Sequence, residues 1–278
     1  MKLFTKWWLL GMACGWSVTA NAQLQLATNV EPARIFSGEA RKNPVIFHNP
    51  GTQNFNGEIR SRIFQASSAT AVLLSENPWK RIEIPADETV MDSAALNFPA
   101  VKAKTKFLVQ WLADSNRVLG VTTVLIYPTN LLQTLQPLLC ETNFGVLDPD
   151  NQLKPLLKAQ GVQFADLEKM ELNDFAGQLA VIGPFESKAQ MPDELAMRIR
   201  TIAKRNVAVV WIQPPSEQPE KILPSFYCVQ MRQTAVVVVQ PDLVSDLAEN
   251  PQSQLNLIYF CRLAMNPRPP VLPDLPPP

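Results

Sequence analysis

Leu179-Ala-Val-Ile-Gly-Pro184 and Val207-Ala-Val-Val-Trp-Ile-Gln-Pro-Pro215 are two apolar runs closed by proline, and the residues between them decide how they are joined. Leu195, Ile199, Ile202 and Ala203 recur at the spacing of one helical face. Pro192 fits a first helical position, Asp193 and Glu194 fall in the first turn, and Arg198, Arg200, Lys204 and Arg205 gather toward the end. The charges therefore follow the helix dipole. Strand, amphipathic helix, strand makes a βαβ unit, and near-continuous apolar strands of this kind are buried on both faces of a parallel sheet.

The flanks extend the same alternation. Phe144-Gly-Val-Leu-Asp148 reads as a first strand, followed by a helix carrying Leu153, Leu156 and Leu157 and closed by Gly161. Pro155 lets that helix begin no earlier than about Gln152. Val162–Leu167 is a short second strand, and Phe226–Arg232 and Ala235–Gln240 are two later ones. Leu243–Leu247 and Leu255–Leu263 are closing helices interrupted at Asn250-Pro251. Residues 143–265 are thus expected to form a doubly wound, mostly parallel α/β sheet of five or six strands.

Residues 23–128 have a different period. Short alternating runs recur at Ala33–Ser37, Pro44–His48, Gly57–Gln65, Trp79–Ile84, Thr89–Leu96, Thr105–Ala113 and Val118–Tyr127, separated by turns such as Asn49-Pro-Gly51 and Asp114-Ser-Asn116. Ile59, Ile63, Phe107, Val109 and Trp111 take alternate positions and would line an inner face. About seven strands over roughly a hundred residues predict an all-β immunoglobulin-like sandwich. Residues 129–142, with Leu131, Leu132, Leu135, Leu138 and Leu139 around Pro137, make a linker helix whose leucine face must dock on one domain or bridge both. Residues 266–278 are proline-dense, the composition of an extended arm.

The first 22 residues carry Lys2 and Lys6, an apolar stretch from Trp7 to Val18, and Ala20-Asn21-Ala22. That is the layout of a secretory signal peptide cleaved near Ala22, so the mature chain is expected to be exported, periplasmic or secreted, without a transmembrane segment. Cys14 offers a lipoprotein alternative that Gly11-Met12-Ala13 matches poorly. Lys+Arg and Asp+Glu each number 25. The near-zero balance lacks the basic footprint that nucleic acid requires. Cys140, Cys228 and Cys261 would remain after cleavage; an odd, widely spaced set is no disulfide framework, and Cys228–Cys261 is the pair left open.

With Phe47-His48-Asn49-Pro50-Gly51 before an alternating strand, the first part resembles the immunoglobulin-like or fibronectin-like modules of exported bacterial proteins. The ordering of the second resembles flavodoxin-like and class I glutamine amidotransferase-like domains. The latter resemblance implies a cysteine on a sharp turn after an inner strand, with a histidine partner. Ile212-Gln213-Pro214-Pro215 stands at that turn, and the sole histidine, His48, lies in the β region. A thiol or hydroxyl nucleophile without a base is idle at neutral pH, so the domain reads as degenerate. His48 itself has no second histidine or cysteine pair with which to hold zinc.

Asp148-Pro-Asp150-Asn151 after an apolar strand resembles the start of haloacid-dehalogenase-type phosphotransferases. The later strand ends, Gly183-Pro184, Gln213-Pro214 and Gln240-Pro241-Asp242, lack the hydroxyl, lysine and acidic pair that such chemistry needs. The plain alternative is a turn whose short acids satisfy backbone N–H groups at a helix start. No G-x-G-x-x-G or P-loop follows the first strand, so no nucleotide cofactor is expected.

If a ligand binds, fold analogy places it at the carboxyl ends of the strands, near Asp148, Asp150, Glu186, Ser187, Gln213 and Asp242. Trp79, after Pro78 and beside Lys80 and Arg81, is the exposed aromatic that would stack on a sugar, whereas Trp111 reads as core and Trp211 as part of a buried strand. The favoured expectation is a non-catalytic envelope protein with a protein or carbohydrate partner; the rival is a hydrolase of a glycan or phosphoester working through strand-end carboxylates.

Overall fold

A computed structural model describes residues 24–27, 31–38, 41–138, 143–215 and 225–267. The expected leader, Cys14, Cys140 and nearly all of the proline arm lie outside the described residues. Strands predominate over helices, and three sheets account for them: the protein is mixed α/β.

The first eight strands are β1 (Gln25–Leu26), β2 (Ala33–Phe36), β3 (Arg41–His48), β4 (Phe55–Ala66), β5 (Ala71–Ile84), β6 (Thr89–Leu96), β7 (Thr105–Ala113) and β8 (Arg117–Tyr127). They divide into a three-stranded sheet, β1-β3-β6, and a five-stranded one, β2-β8-β7-β4-β5. All pairs are antiparallel except β2 with β8. The period of two in the sequence carries through: Ile59 and Ile63 on β4 and Phe107, Val109 and Trp111 on β7 meet Val45 and Phe47 on β3 and Leu96 on β6 in one core. Asn49 pins the turn after β3, its amide donating to the carbonyls of Gln53, Ile84 and Pro85 at 2.8–3.1 Å.

The second half contains β9 (Phe144–Leu147), α1 (Lys154–Ala159), β10 (Ala165–Asp166), β11 (Leu179–Ile182), α2 (Leu195–Lys204), β12 (Ala208–Ile212), β13 (Phe226–Gln230), β14 (Ala235–Val239) and α3 (Pro251–Met265). Its sheet runs β10-β9-β11-β12-β14-β13, parallel throughout except for β13 against β14. Successive side chains on a strand take opposite faces, so this sheet has two cores. Val146, Val181, Val210 and Val237 pack with Leu153 just before α1, Leu157 of α1 and Leu257, Ile258 and Cys261 of α3. Ala180, Ile182, Val209 and Val238 pack with Leu195, Ile199 and Ile202 of α2.

The helix between β11 and β12 starts later than Pro192. Glu194 takes a left-handed conformation (φ 60°) after a turn in which Leu195 N–H reaches Pro192 C=O at 3.2 Å, so Asp193 and Glu194 precede α2 instead of filling its first turn. The second strand shrinks to Ala165–Asp166, and Leu243–Leu247 is replaced by a 3₁₀ turn at Pro241–Val244. Asn250-Pro251, expected as a break, is a beginning: Asn250 accepts the Gln252 N–H at 2.9 Å and Pro251 occupies the first turn of α3.

The leucine segment forms a 3₁₀ helix over Leu131–Leu138, with Leu131, Leu132 and Leu135 buried. Phe36 of β2 and Tyr127 of β8 belong to the same apolar cluster, so it joins the β region to α1 and α3. A buried glutamine relay reinforces the joint. Gln160 accepts the Leu132 N–H at 2.9 Å, its carbonyl accepts Gln133 Nε2 at 2.8 Å, and its own amide lies 3.5 Å from Gln254 Oε1. Gln254 in turn donates to Leu247 C=O at 2.7 Å.

Candidate functional site

Parallel strands end at one side of the sheet, and there the expected site residues can be located one by one. Asp148 follows β9 and is 0% exposed. Its carboxylate accepts the Gln152 N–H at 3.1 Å, the Leu153 N–H at 2.7 Å and the Lys154 N–H at 2.8 Å. Those donors open α1, whose own N-cap position is held by Leu153, a side chain with nothing to offer them. Asp148 therefore works as a helix-start acceptor from five residues upstream.

Asp150 is spent on the next loop. Its carboxylate accepts the Glu186 N–H and Gln190 Nε2, each at 2.7 Å. Gln190 Oε1 accepts the Ser187 N–H at 3.0 Å and completes a capping box with that serine. Asp150, Glu186 and Ser187 are thus brought together, with Asp150 and Gln190 binding the loop's backbone. The Glu186 and Ser187 side chains lie at the surface. Gln213 is held separately: it accepts Gln240 Nε2 at 3.1 Å, joining the exits of β12 and β14. Asp242 is exposed on the 3₁₀ turn after β14.

Trp79 departs from the exposed platform expected of it. It is half-buried, its ring 5.3 Å from Trp111 and 6.0 Å from Phe47, with Lys80 Nζ 4.9 Å from the ring centroid. A bulge in β5 explains it: Ile59 of β4 pairs with Lys80 and Arg60 with Pro78, so Trp79 is the extra residue and turns toward the core against the alternation that Ile82 and Ile84 set. Trp111 is fully buried as expected; Trp211 is only partly buried, and its indole N–H is unpaired. His48 ends β3 with Nδ1 3.1 Å from Thr89 Oγ1. Cys228 is exposed, Cys261 is buried, and both are free thiols.

A charged cluster at this end went unnoticed in the sequence. Lys154, nearly fully buried on α1, reaches Asp166 Oδ1 at 2.8 Å and also pairs with Glu168, which accepts the Asp148 N–H at 3.0 Å. Burial pulls the Lys154 ammonium down, but its bonds to Asp166 and Glu168 outweigh this and leave it above the ordinary lysine value. Burial pushes the Asp166 carboxyl up, and the Lys154 bond, aided by the Glu168 N–H, brings it below the ordinary carboxylate value. The only sequence signal was a lysine in the first turn of an amphipathic helix, beside residues that the helical period places in the core.

None of the expected site residues lines either of two concavities, though Asp166 of the charged cluster borders the second. One, of about 170 Å³, lies by Glu31, Asn43 and Thr122; the other, of about 450 Å³, lies by Lys158, Asp166 and Lys169. Among the described residues no group of three His, Cys, Asp or Glu side chains is placed to hold a metal ion. No described helix is long and apolar enough to cross a membrane.

No protein-family model matches this chain, and no curated protein matches it. Solved structures give partial likenesses. The alkylpurine DNA glycosylase AlkC of Pseudomonas fluorescens, bound to DNA containing an abasic site analog, is 14% identical over 38% of this chain and 31% of its own, with a TM-score of 0.30. The β-glucosidase of Listeria innocua is 15% identical over 39% of this chain and 17% of its own, with a TM-score of 0.28. The CsuC–CsuE chaperone–tip adhesion subunit complex of Acinetobacter baumannii is 13% identical over 38% of this chain and 57% of the matched chain, with a TM-score of 0.27. This chain spans well under two thirds of each, and likenesses of that size decide neither its fold nor its function.

Proposed function

We propose that this is an exported, non-catalytic interaction protein of the cell envelope, built from an immunoglobulin-like sandwich and a degenerate α/β domain of flavodoxin-like or amidotransferase-like layout. Two sheets closing on one core support the first assignment. The parallel run β10-β9-β11-β12-β14, with α1 and α3 on one face and α2 on the other, supports the second.

One observation carries the reading of function: both carboxylates of the Asp148-Pro-Asp150 turn are consumed by the scaffold. Asp148 is buried against three backbone N–H groups, and Asp150 is divided between Glu186 N–H and Gln190. A general acid or nucleophile has to reach substrate in a productive pose, and neither group is free to do so. Apolar side chains on the outside fit a protein partner: Val72, Leu73 and Leu74 are all exposed on the edge strand β5. With Trp79 packed against Trp111, a carbohydrate partner has the lesser support.

The test has two arms. Purified mature protein is offered generic ester, phosphate and glycoside substrates; turnover that Asp150→Asn removes would replace this reading with a carboxylate hydrolase. The same protein, tagged, is recovered from native envelopes beside a Val72→Lys, Leu74→Lys variant. A partner that comes down with the wild type and is lost from the variant is the expected result.

A further inference from the structure

The exposed β13 edge is built to pair with another strand. Its five residues, Phe226-Tyr-Cys-Val-Gln230, are all exposed and form one border of the six-stranded sheet. Natural sheet borders are guarded by charge, proline, bulges or shortness. β5, the border beside β4, has Pro78, Glu76, Lys80, Arg81, Glu83 and two register shifts. At the opposite border of β13's own sheet, β10 is two residues long. β13 has none of these guards: no charge, no proline, and five consecutive pairs with β14 without a shift. Phe226, Tyr227 and Val229 are 38%, 42% and 44% exposed, and Tyr259 of α3, 6.4 Å from Phe226 ring to ring, is 48% exposed.

The backbone groups of β13 that meet no partner among the described residues can be assigned. Gln240 N–H bonds to Ser225 C=O at 3.0 Å and Met231 N–H to Thr234 C=O at 2.9 Å, at the two ends of the β13–β14 ladder. Alternation then turns the N–H and C=O of Tyr227 and Val229 toward β14, and those of Phe226, Cys228 and Gln230 outward.

We infer that β13 pairs antiparallel with β13 of a second copy of this chain, about a two-fold axis at Cys228, making one sheet continuous across a homodimer. Three outward residues centred on Cys228 are self-complementary: Cys228 faces Cys228 of the partner subunit, and Phe226 faces Gln230 of the partner subunit. Tyr227 stands opposite Val229 of the partner subunit twice over, the aromatic–β-branched pairing that stabilises strand neighbours. With no charge in the strand, self-pairing sets no like charges against each other, as it would at β5. The symmetry closes, so the contact yields a dimer and not a fibre. This holds whether or not the non-catalytic reading is correct.

Light scattering across a dilution series and cross-linking test it together, in a chain carrying Cys14→Ser and Cys140→Ser. Cα atoms of a hydrogen-bonded antiparallel pair lie about 5.5 Å apart, within disulfide reach. Copper-phenanthroline should take two electrons and two protons from the paired thiols and give a disulfide-linked dimer. Cys228→Ser should abolish that species and keep the non-covalent dimer. Val229→Lys should give a monomer with an unchanged urea transition, which separates lost pairing from lost folding. A monomer at every concentration overturns the inference, as does a dimer indifferent to Val229→Lys. Slow amide exchange at Cys228 in a monomer would also overturn it, because another part of the same chain would then cover the strand.

Discussion

Asp148 shows how far a carboxylate's position outweighs its chemistry. Replacing it with alanine strands three backbone donors at the start of α1, those of Leu153 and Lys154 buried, so Asp148→Ala should cost about 1–3 kcal/mol in urea unfolding. Lys154 obeys an asymmetric rule. Its partners Asp166 and Glu168 keep some solvent, whereas the ammonium is nearly sealed. Lys154→Met should therefore destabilise less than Asp166→Asn with Glu168→Gln, which leaves a buried cation unpaired. The pH dependence follows from the shifts. Asp166 titrates below the ordinary carboxylate range, so its contribution is present above about pH 4 and lost as pH falls through the folded value. Lys154 titrates above the ordinary lysine value, so its contribution is present below about pH 10 and lost as pH rises through the folded value. Urea midpoints across pH, compared with Lys154→Met, should show both edges flattened in the variant. Burial pushes the Cys261 thiol up to about 12. In a chain with Cys14→Ser and Cys140→Ser, a thiol reagent should modify Cys228 in the native protein and reach Cys261 only after unfolding.

At the scale of elements, the strands were legible because burial writes itself into period. Val236–Val239 and Ala208–Ile212 read as interior strands and are buried on both faces, apart from the partly buried Trp211. Ile59 and Ile63 alternated into the core as expected. What stayed hidden was set by loops and by partners distant in sequence. Nothing in Pro192-Asp-Glu194 revealed that Glu194 would turn left-handed and delay α2. The Asp148 turn, by contrast, was legible: a short acid satisfying backbone N–H groups at a helix start is what Asp148 does for Gln152, Leu153 and Lys154. Trp79 was misplaced because the bulge that skips it in the pairing of β4 with β5 breaks the alternation set by Ile82 and Ile84, and nothing in Pro78-Trp79-Lys80 announces that bulge. Phe226–Gln230 was legible as a strand, but that it stands at a border with no partner among the described residues depended on an order only the fold supplies. Gly183 marks a tight passage between β11 and the loop that Asp150 holds. Its φ is 93°, and an added Cβ would lie 2.6 Å from Ile212 C=O. Gly183→Ala should lower stability by more than the roughly 1 kcal/mol usual for glycine replaced at positive φ, measurable as a drop in Tm.

For the molecule as a whole, the decisive feature is the cluster joining Phe36 and Tyr127 to Leu131, Leu132, Leu135 and the apolar side of α3. Domains linked by a loose tether melt separately, whereas a large apolar junction couples them. Hydrogen exchange followed at β7 and β12 amides through urea should report one shared transition. Leu132→Ala, cutting into a fully buried position, should lower both by about 2–5 kcal/mol. Two separated transitions in the wild type would refute the coupling. The same junction bears on any attempt to make half of this protein. A fragment ending near residue 130 would turn Phe36 and Tyr127 outward, and one starting near residue 143 would strip the lid from Gln160, Gln254 and the leucines of α1 and α3. Each piece would be stickier than its parent, so partners captured with either fragment alone would record the wound and not the biology.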